Sequence, residues 1–236
     1  MCLILHCPQG KEPPINWLKT AQETNPDGWG IMALRGGKPT YKKGLTKESF
    51  YEVLPKFEGI EKTIHFRFAT VGEVNIENAH PIRVLNKKKH GKEILLMHNG
   101  TLPFRPKNKA ISDTVYFAHF ILREKLIKDS NILVKENKEI TSIMASSKFA
   151  FLTDRGFTFH GHFTIKDGFK LSNLYSIDDY KPIKYLYDTY LPTYPYEPIK
   201  RYTLEEHLSG LGYNELITYI KQNPDEIADF LLDNLL

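Results

Sequence analysis

The chain opens Met1-Cys2-Leu3-Ile4-Leu5-His6-Cys7-Pro8. Residues 2 to 7 form an apolar run of strand length, read as a buried strand that starts at the second residue. Side chains alternate along a strand, so Cys2 and Cys7, an odd number of residues apart, point to opposite faces. Methionine is normally trimmed before a small side chain, which would leave the Cys2 thiol at the chain start. A terminal cysteine brings its own base, because its α-amine titrates near about 8 and a useful neutral fraction exists at neutral pH. The other reading of Cys2 is a small buried side chain.

Working outward, Ile15 to Thr24 has short-helix spacing and precedes the turn signal Asn25-Pro26-Asp27-Gly28. Gly28 to Leu34 and Pro39 to Lys43 read as a hairpin around Gly36-Gly37. Thr46 caps a helix reaching about Phe57. Thr63 to Phe68 alternates as a strand, and Glu93 to His98 is another, ending in Asn99-Gly100. Ser112 is an N-cap for a helix to about Lys128, with Asp113 in its first turn. A second helix spans about Lys138 to Ser146. Lys148 to Leu152, Gly156 to Phe163 and Leu171 to Ile177 read as strands, with Asp154-Arg155-Gly156 as a hairpin turn. Strands and helices come in blocks rather than in β-α-β alternation, which predicts an α+β chain with antiparallel sheets and helices outside.

The expected organisation is a domain over residues 1–179, a Tyr/Pro-rich extended arm over 180–202 and a helical tail over 203–236. The arm holds Tyr180, Tyr185, Tyr187, Tyr190, Tyr194, Tyr196 and Tyr202 among four prolines. Thr203-Leu204-Glu205-Glu206 is a capping box, and Pro224 opens a last helix at its first position.

At 236 residues, 41% hydrophobic and 25% charged, the composition is that of an ordinary globular chain. A net charge of +4 is too mild to argue for nucleic acid. Lys87-Lys88-Lys89 reads as a solvated loop rather than a phosphate patch. No apolar run approaches membrane-span length, and the start lacks a signal-peptide pattern. Two cysteines near one terminus make no disulfide framework, so a reducing cytoplasm is the simplest compartment. His160 and His162 share a strand face but lack a third ligand of suitable spacing, so no metal is expected.

Three further elements carry chemistry. Leu96-Met97-His98-Asn99-Gly100 ends a strand in a tight turn, where the Asn99 amide and the Gly100 N–H could both address one oxygen as an oxyanion hole. Taken alone, the pair is more simply read as a plain Asn-Gly hairpin turn. His65-Phe66-Arg67-Phe68-Ala69-Thr70-Val71-Gly72 leads into a polar loop that closes at Asn78-Ala79-His80-Pro81. His65, Arg67 and Ala69 share one strand face, and an arginine in apolar surroundings wants a carboxylate, from a ligand or from an internal salt bridge. Ser112-Asp113-Thr114 caps a helix and could also accept a ligand ammonium. Together, Arg67 and Asp113 would hold the two charged groups of an α-amino acid.

In this order the four elements resemble class II glutamine amidotransferases. The likeness is to the glutaminase domains of glucosamine-6-phosphate synthase and amidophosphoribosyltransferase. It is greater to a small stand-alone branch with the segment Asn25 to Ile31, and covers about residues 2 to 176. The resemblance implies a four-layer αββα Ntn-hydrolase sandwich with two antiparallel sheets. It implies Cys2 as the nucleophile, and Asn99 with Gly100 as the oxyanion hole. Arg67 and Thr70 would meet the glutamine carboxylate, Asp113 the α-amine, and His80 would be structural. Where some members carry histidine this chain has Val71, which alters the carboxylate end of the site. A retained Met1 would acylate the amine and remove the base.

The implied activity is glutaminase action without a cofactor, supplying ammonia to an acceptor on a separate synthetase subunit. The chain is too short for a synthetase domain of its own, and it has neither a G-x-x-x-x-G-K loop nor a G-x-G-x-x-G fingerprint. The alternatives are a stand-alone hydrolase of another γ-glutamyl amide and an inactive binding protein of the same fold.

Overall fold

A computed structural model describes residues 2–129, 133, 138–144 and 147–177. Met1, the arm over 180–202 and the tail over 203–236 lie outside the described residues. The elements in chain order are β1 (Leu3–Cys7), α1 (Ile15–Thr24), β2 (Trp29–Arg35), β3 (Lys38–Gly44), α2 (Lys47–Val53) and β4 (Lys62–Phe66). Next come β5 (Ile82–Leu85), α3 (Lys87–His90), β6 (Ile94–Asn99), α4 (Asp113–Tyr116) and α5 (Arg123–Lys128). Last are α6 (Lys138–Met144), β7 (Lys148–Thr153), β8 (Gly156–His160), β9 (Thr164–Lys166) and β10 (Phe169–Leu171). A 3₁₀ turn, Leu54–Phe57, extends α2, and a π-helical stretch, Phe117–Leu122, joins α4 to α5 without a break.

The strands form two sheets, ordered β3-β2-β4-β1-β10-β9 and β5-β6-β7-β8, and every pairing is antiparallel. Three apolar clusters fix the layering. Ile4 and Met32 of the first sheet meet Leu95, Met97, Ala150 and Leu152 of the second. On the first sheet's outer face, Leu3, Leu5, Ile64 and Phe66 pack with Trp17 and Leu18 of α1 and Phe50 of α2. On the second sheet's outer face, Leu96, Phe149 and Phe151 pack with Phe117, Leu122 and Leu126 of the 113–128 helix and with Ile140 and Met144 of α6. The architecture is therefore α+β in four αββα layers. Each of these fully buried side chains stabilises the fold by about 1.5–3 kcal/mol through water release alone.

Local signals set most element ends. Thr46 caps α2 by accepting from the Ser49 N–H at 3.3 Å, and the Thr46 carbonyl accepts from Trp29 Nε1 at 2.9 Å. Ser112 caps α4 by accepting from the Val115 N–H at 3.2 Å. Gly30 serves a close approach: a Cβ there would lie 1.7 Å from the His80 carbonyl oxygen, so any side chain would push the 78–81 segment off β2.

Four expectations are corrected. Leu171 to Ile177 is not a strand, since β10 ends at Leu171 and the chain turns at Ser172 and Asn173. Lys87-Lys88-Lys89 is the short helix α3, although its lysines stay exposed, because Asn86 accepts from the Lys88 N–H at 2.9 Å and nucleates the turn. β8 stops at His160, short of Phe163. β4 leaves the ladder after Phe66, although Arg67 N–H still donates to the Gly28 carbonyl at 2.8 Å. Among the described residues no helix is long and apolar enough to cross a membrane.

Candidate functional site

A narrow pocket of about 20 Å³ opens where the strand ends converge. Its lining includes Cys2, Arg67, Thr70, His80, Gly100 and Asp113. These come from five separate stretches of chain: the residue before β1, the segment after β4, the loop before β5, the turn after β6 and the start of α4. Asn99 is buried beside it but is not part of its lining.

Cys2 is half-buried and shares the inner-face parity of Ile4, whereas Cys7 lies in the outer core with Leu3 and Leu5. The Cys2 Sγ accepts from the Phe68 N–H at 3.3 Å. Burial pushes its thiol up, while the Phe68 hydrogen bond and the Arg67 charge pull it down. Cys7 is fully buried and its thiol is pushed up to about 12 by that burial. Burial outweighs the other two effects, so the Cys2 thiol stays raised on balance, but of the two cysteines only Cys2 is partly accessible.

Among the described residues Arg67 does not make the internal salt bridge that its sequence context allowed. Its Nη1 donates to the Glu73 carbonyl at 3.0 Å and its Nη2 to the Val71 carbonyl at 3.1 Å. Two of five donors thus hold the 70–78 loop, leaving three for a ligand. Asp27, read from sequence only as part of a turn, pins the other side of this loop: its Oδ2 accepts from the Ala69 N–H at 2.7 Å.

Asp113 is buried, with no cation paired to it among the described residues. Its Oδ2 accepts from the Leu102 N–H and its Oδ1 from the Thr114 N–H, both at 2.7 Å. A carboxylate offers about four acceptor sites, so Asp113 both ties the 100–102 turn to α4 and keeps capacity for an ammonium donor.

Three buried histidines back the pocket, and fixed donors determine their tautomers. His80 Nδ1 accepts from the His98 N–H at 3.3 Å, so it carries no proton. His65 Nε2, 3.0 Å from that nitrogen and 3.1 Å from the His98 carbonyl, must therefore be the donor. His98 Nδ1 lies 2.7 Å from Thr114 Oγ1, whose hydroxyl donates to Asp113 Oδ1 at 3.3 Å. His98 thus reaches Asp113 through Thr114, a link absent from the sequence reading.

All three rings are neutral. Burial lowers His65 and His98 to about 3, and His80 well below its ordinary value. In the unfolded chain each would take up a proton below about pH 6.5. The unfolded state then binds more protons than the fold, so stability is complete above that pH and is lost as pH falls toward 3. The melting temperature should drop steadily between about pH 6.5 and pH 4. A flat profile across that window would mean that the three rings are solvated or charged in the fold.

Two more residues of the site escaped the sequence. Asn99 Nδ2 donates to Ser172 Oγ at 2.8 Å, and the same oxygen accepts from the Ile4 N–H at 2.8 Å. Asn173 Nδ2 donates to the Cys2 carbonyl at 2.8 Å. The Ser172-Asn173 turn thereby clamps β1, Cys2 and Asn99 together. Gly100 has φ +143°, and a Cβ there would lie 2.3 Å from Ser147 Oγ, so only glycine fits the turn. Among the described residues no group of three potential ligands could hold a metal ion, and His160 Nε2 is engaged with the Leu133 carbonyl at 3.2 Å.

No protein-family model matches the chain, and no curated protein matches it. Among the solved structures similar to it are two of the following descriptions. One, described as the allosteric regulatory enzyme of purine biosynthesis, has a TM-score of 0.47 at 20% identity, over 72% of this chain and 41% of that one. The other is glutamine phosphoribosylpyrophosphate amidotransferase from B. subtilis complexed with ADP and GMP. It has a TM-score of 0.41 at 20% identity, with the same coverage. The chain thus spans less than half the length of either, and at this level the likeness says nothing of substrate or chemistry.

Proposed function

We propose that this chain is a glutaminase of the class II amidotransferase type, with an Ntn-hydrolase mechanism started by Cys2 once Met1 is removed. The observation that supports this is the single pocket that gathers Cys2, Gly100, Arg67, Thr70 and Asp113. The freed α-amine takes the thiol proton, and Sγ attacks the side-chain amide carbon of glutamine. The negative charge on the amide oxygen is met by the second Nδ2 hydrogen of Asn99 and by the Gly100 N–H. The protonated amine then gives its proton to the departing nitrogen, releasing ammonia and leaving a γ-glutamyl thioester. Water, deprotonated by the same amine, cleaves the thioester to glutamate and free Cys2. Thiol and amine suffice for this chemistry, so no cofactor is invoked. His80 acts through the loop it anchors, and the ammonia passes to an acceptor on a separate synthetase subunit.

Substrate recognition gives the experiment. Arg67 would bind the α-carboxylate with its remaining donors, beside Thr70, and Asp113 the α-ammonium. Arg67→Ala and Asp113→Ala should each raise KM for glutamine about 10- to 100-fold, the worth of one charge-assisted bond. Arg67→Lys should rescue poorly, because a lysine cannot span both loop carbonyls and a carboxylate. Steady-state kinetics with glutamine, with a γ-glutamyl amide and with a simple primary amide test the reading. Equal turnover of the simple amide and glutamine would refute it, and preference for another γ-glutamyl amide would replace glutamine as substrate.

A further inference from the structure

A second cavity, of about 550 Å³, lies between β3, β5, α3 and the 113–128 helix. Lys43, Arg83, Lys89 and Arg123 all line it, each from a different element. Against these four cations stand Glu77 in the lining and Glu93, whose Oε1 pairs with Arg83 Nε at 2.7 Å. Among the described residues, Lys43, Lys89 and Arg123 have no carboxylate within ion-pair distance.

Three of the four cations are held rather than swinging free, while Lys89 is exposed. Lys43 Nζ donates to the Ala79 carbonyl at 2.7 Å, Arg123 Nε donates to the Val84 carbonyl at 2.9 Å, and the Arg83 guanidinium sits 5.3 Å over the Tyr41 ring. Arg123 keeps its four Nη hydrogens for a ligand. Burial lowers Lys43 to about 8, with Glu77 opposing and Arg83 adding to the shift, and burial, then Arg123 and Lys43, disfavour charge on His119, another lining residue. Like charges fixed around one concave site repel each other until an anion enters, and a dianion relieves more of that repulsion than a carboxylate. Ile82, Val84 and Val115 give the cavity an apolar wall, which free phosphate would leave wet.

We propose that this cavity is a binding site for a small phosphomonoester with an apolar body. A concave site with an apolar wall suits a small molecule rather than the extended basic stripe that tracks nucleic acid. It shares walls with the Cys2 pocket: Ala79, held by Lys43, precedes His80, and Ile111 and Val115 flank the Ser112–Thr114 segment.

Phenyl phosphate serves as the probe, with isothermal titration calorimetry on the full chain. Saturable one-site binding is expected, weakening as salt rises, and weakened at least about tenfold by Lys43→Gln and by Arg123→Gln. Lys88→Gln, on the exposed side of α3, should bind as wild type. Benzyl alcohol should not bind, and inorganic phosphate should bind more weakly than phenyl phosphate. Cys2→Ala should leave the affinity unchanged, which keeps this test independent of the glutaminase reading. Absence of saturable binding would overturn the proposal. So would unchanged affinity in both glutamine variants, or competition by free glutamine, which would place the probe in the Cys2 pocket.

Discussion

Cys2→Ala should reduce ammonia release from glutamine by on the order of 10⁶, to the background rate, because removing a covalent nucleophile removes a pathway and not a contact. The fold should survive the change. Cys2 is only half-buried, its carbonyl bond to Asn173 uses the backbone, and its side chain engages only the backbone of Phe68. Cys7→Ala is the matched control. Cys7 is fully buried beside Leu3, Leu5 and Trp17, so its loss should cost about 1 kcal/mol of stability and leave most of the activity. An ammonia assay paired with a melting curve separates the two effects. Full activity in Cys2→Ala, or its loss in Cys7→Ala at unchanged stability, would reverse the assignment.

Asn99→Ala should lower kcat by roughly 10²–10³ with a smaller change in KM, the cost of one oxyanion-hole donor. The geometry makes the test specific. Asn99 spends one Nδ2 hydrogen on Ser172 Oγ, and that oxygen keeps its bond to the Ile4 N–H when Asn99 is truncated. The clamp on β1 therefore persists, and what is lost is the hydrogen left for the substrate oxygen. Asn99→Asp should be at least as damaging, since it sets a carboxylate against the developing negative charge. Steady-state kinetics decide the matter. A change confined to KM would make Asn99 a binding residue, and wild-type kcat in Asn99→Ala would remove it from the site.

Much of this arrangement was legible because its signals are local. A short apolar run placed β1, alternation located the His65–Arg67 face, a hydroxyl before an acidic first turn placed Ser112 at a helix start, and Asn99-Gly100 marked the end of β6. What the sequence could not carry is set by partners far along the chain. β10 has three residues and exists because Leu5 and His6 lie beside it in register. β5 is four residues long, with an exposed arginine in the middle and a register shift against β6, so its alternation is too short to read. Ser172 and Asn173 are ordinary turn residues until β1 is placed against them. Arg67 follows the same logic. Burial in an apolar face demanded a partner, read as a carboxylate of a ligand or of the chain itself, but the acceptors are two carbonyls of the following loop, so the residue also holds the wall of the pocket.

The central claim is that the Cys2 thiol, at a freed chain terminus, is the attacking group. It is tested most directly by reacting the active protein with a diazo-ketone analogue of glutamine and weighing its N-terminal peptide. The account predicts a peptide that begins at Cys2 and carries one adduct, on that residue, with labelling blocked by excess glutamine. A peptide that keeps Met1, or an adduct on Cys7 with none on Cys2, would contradict it.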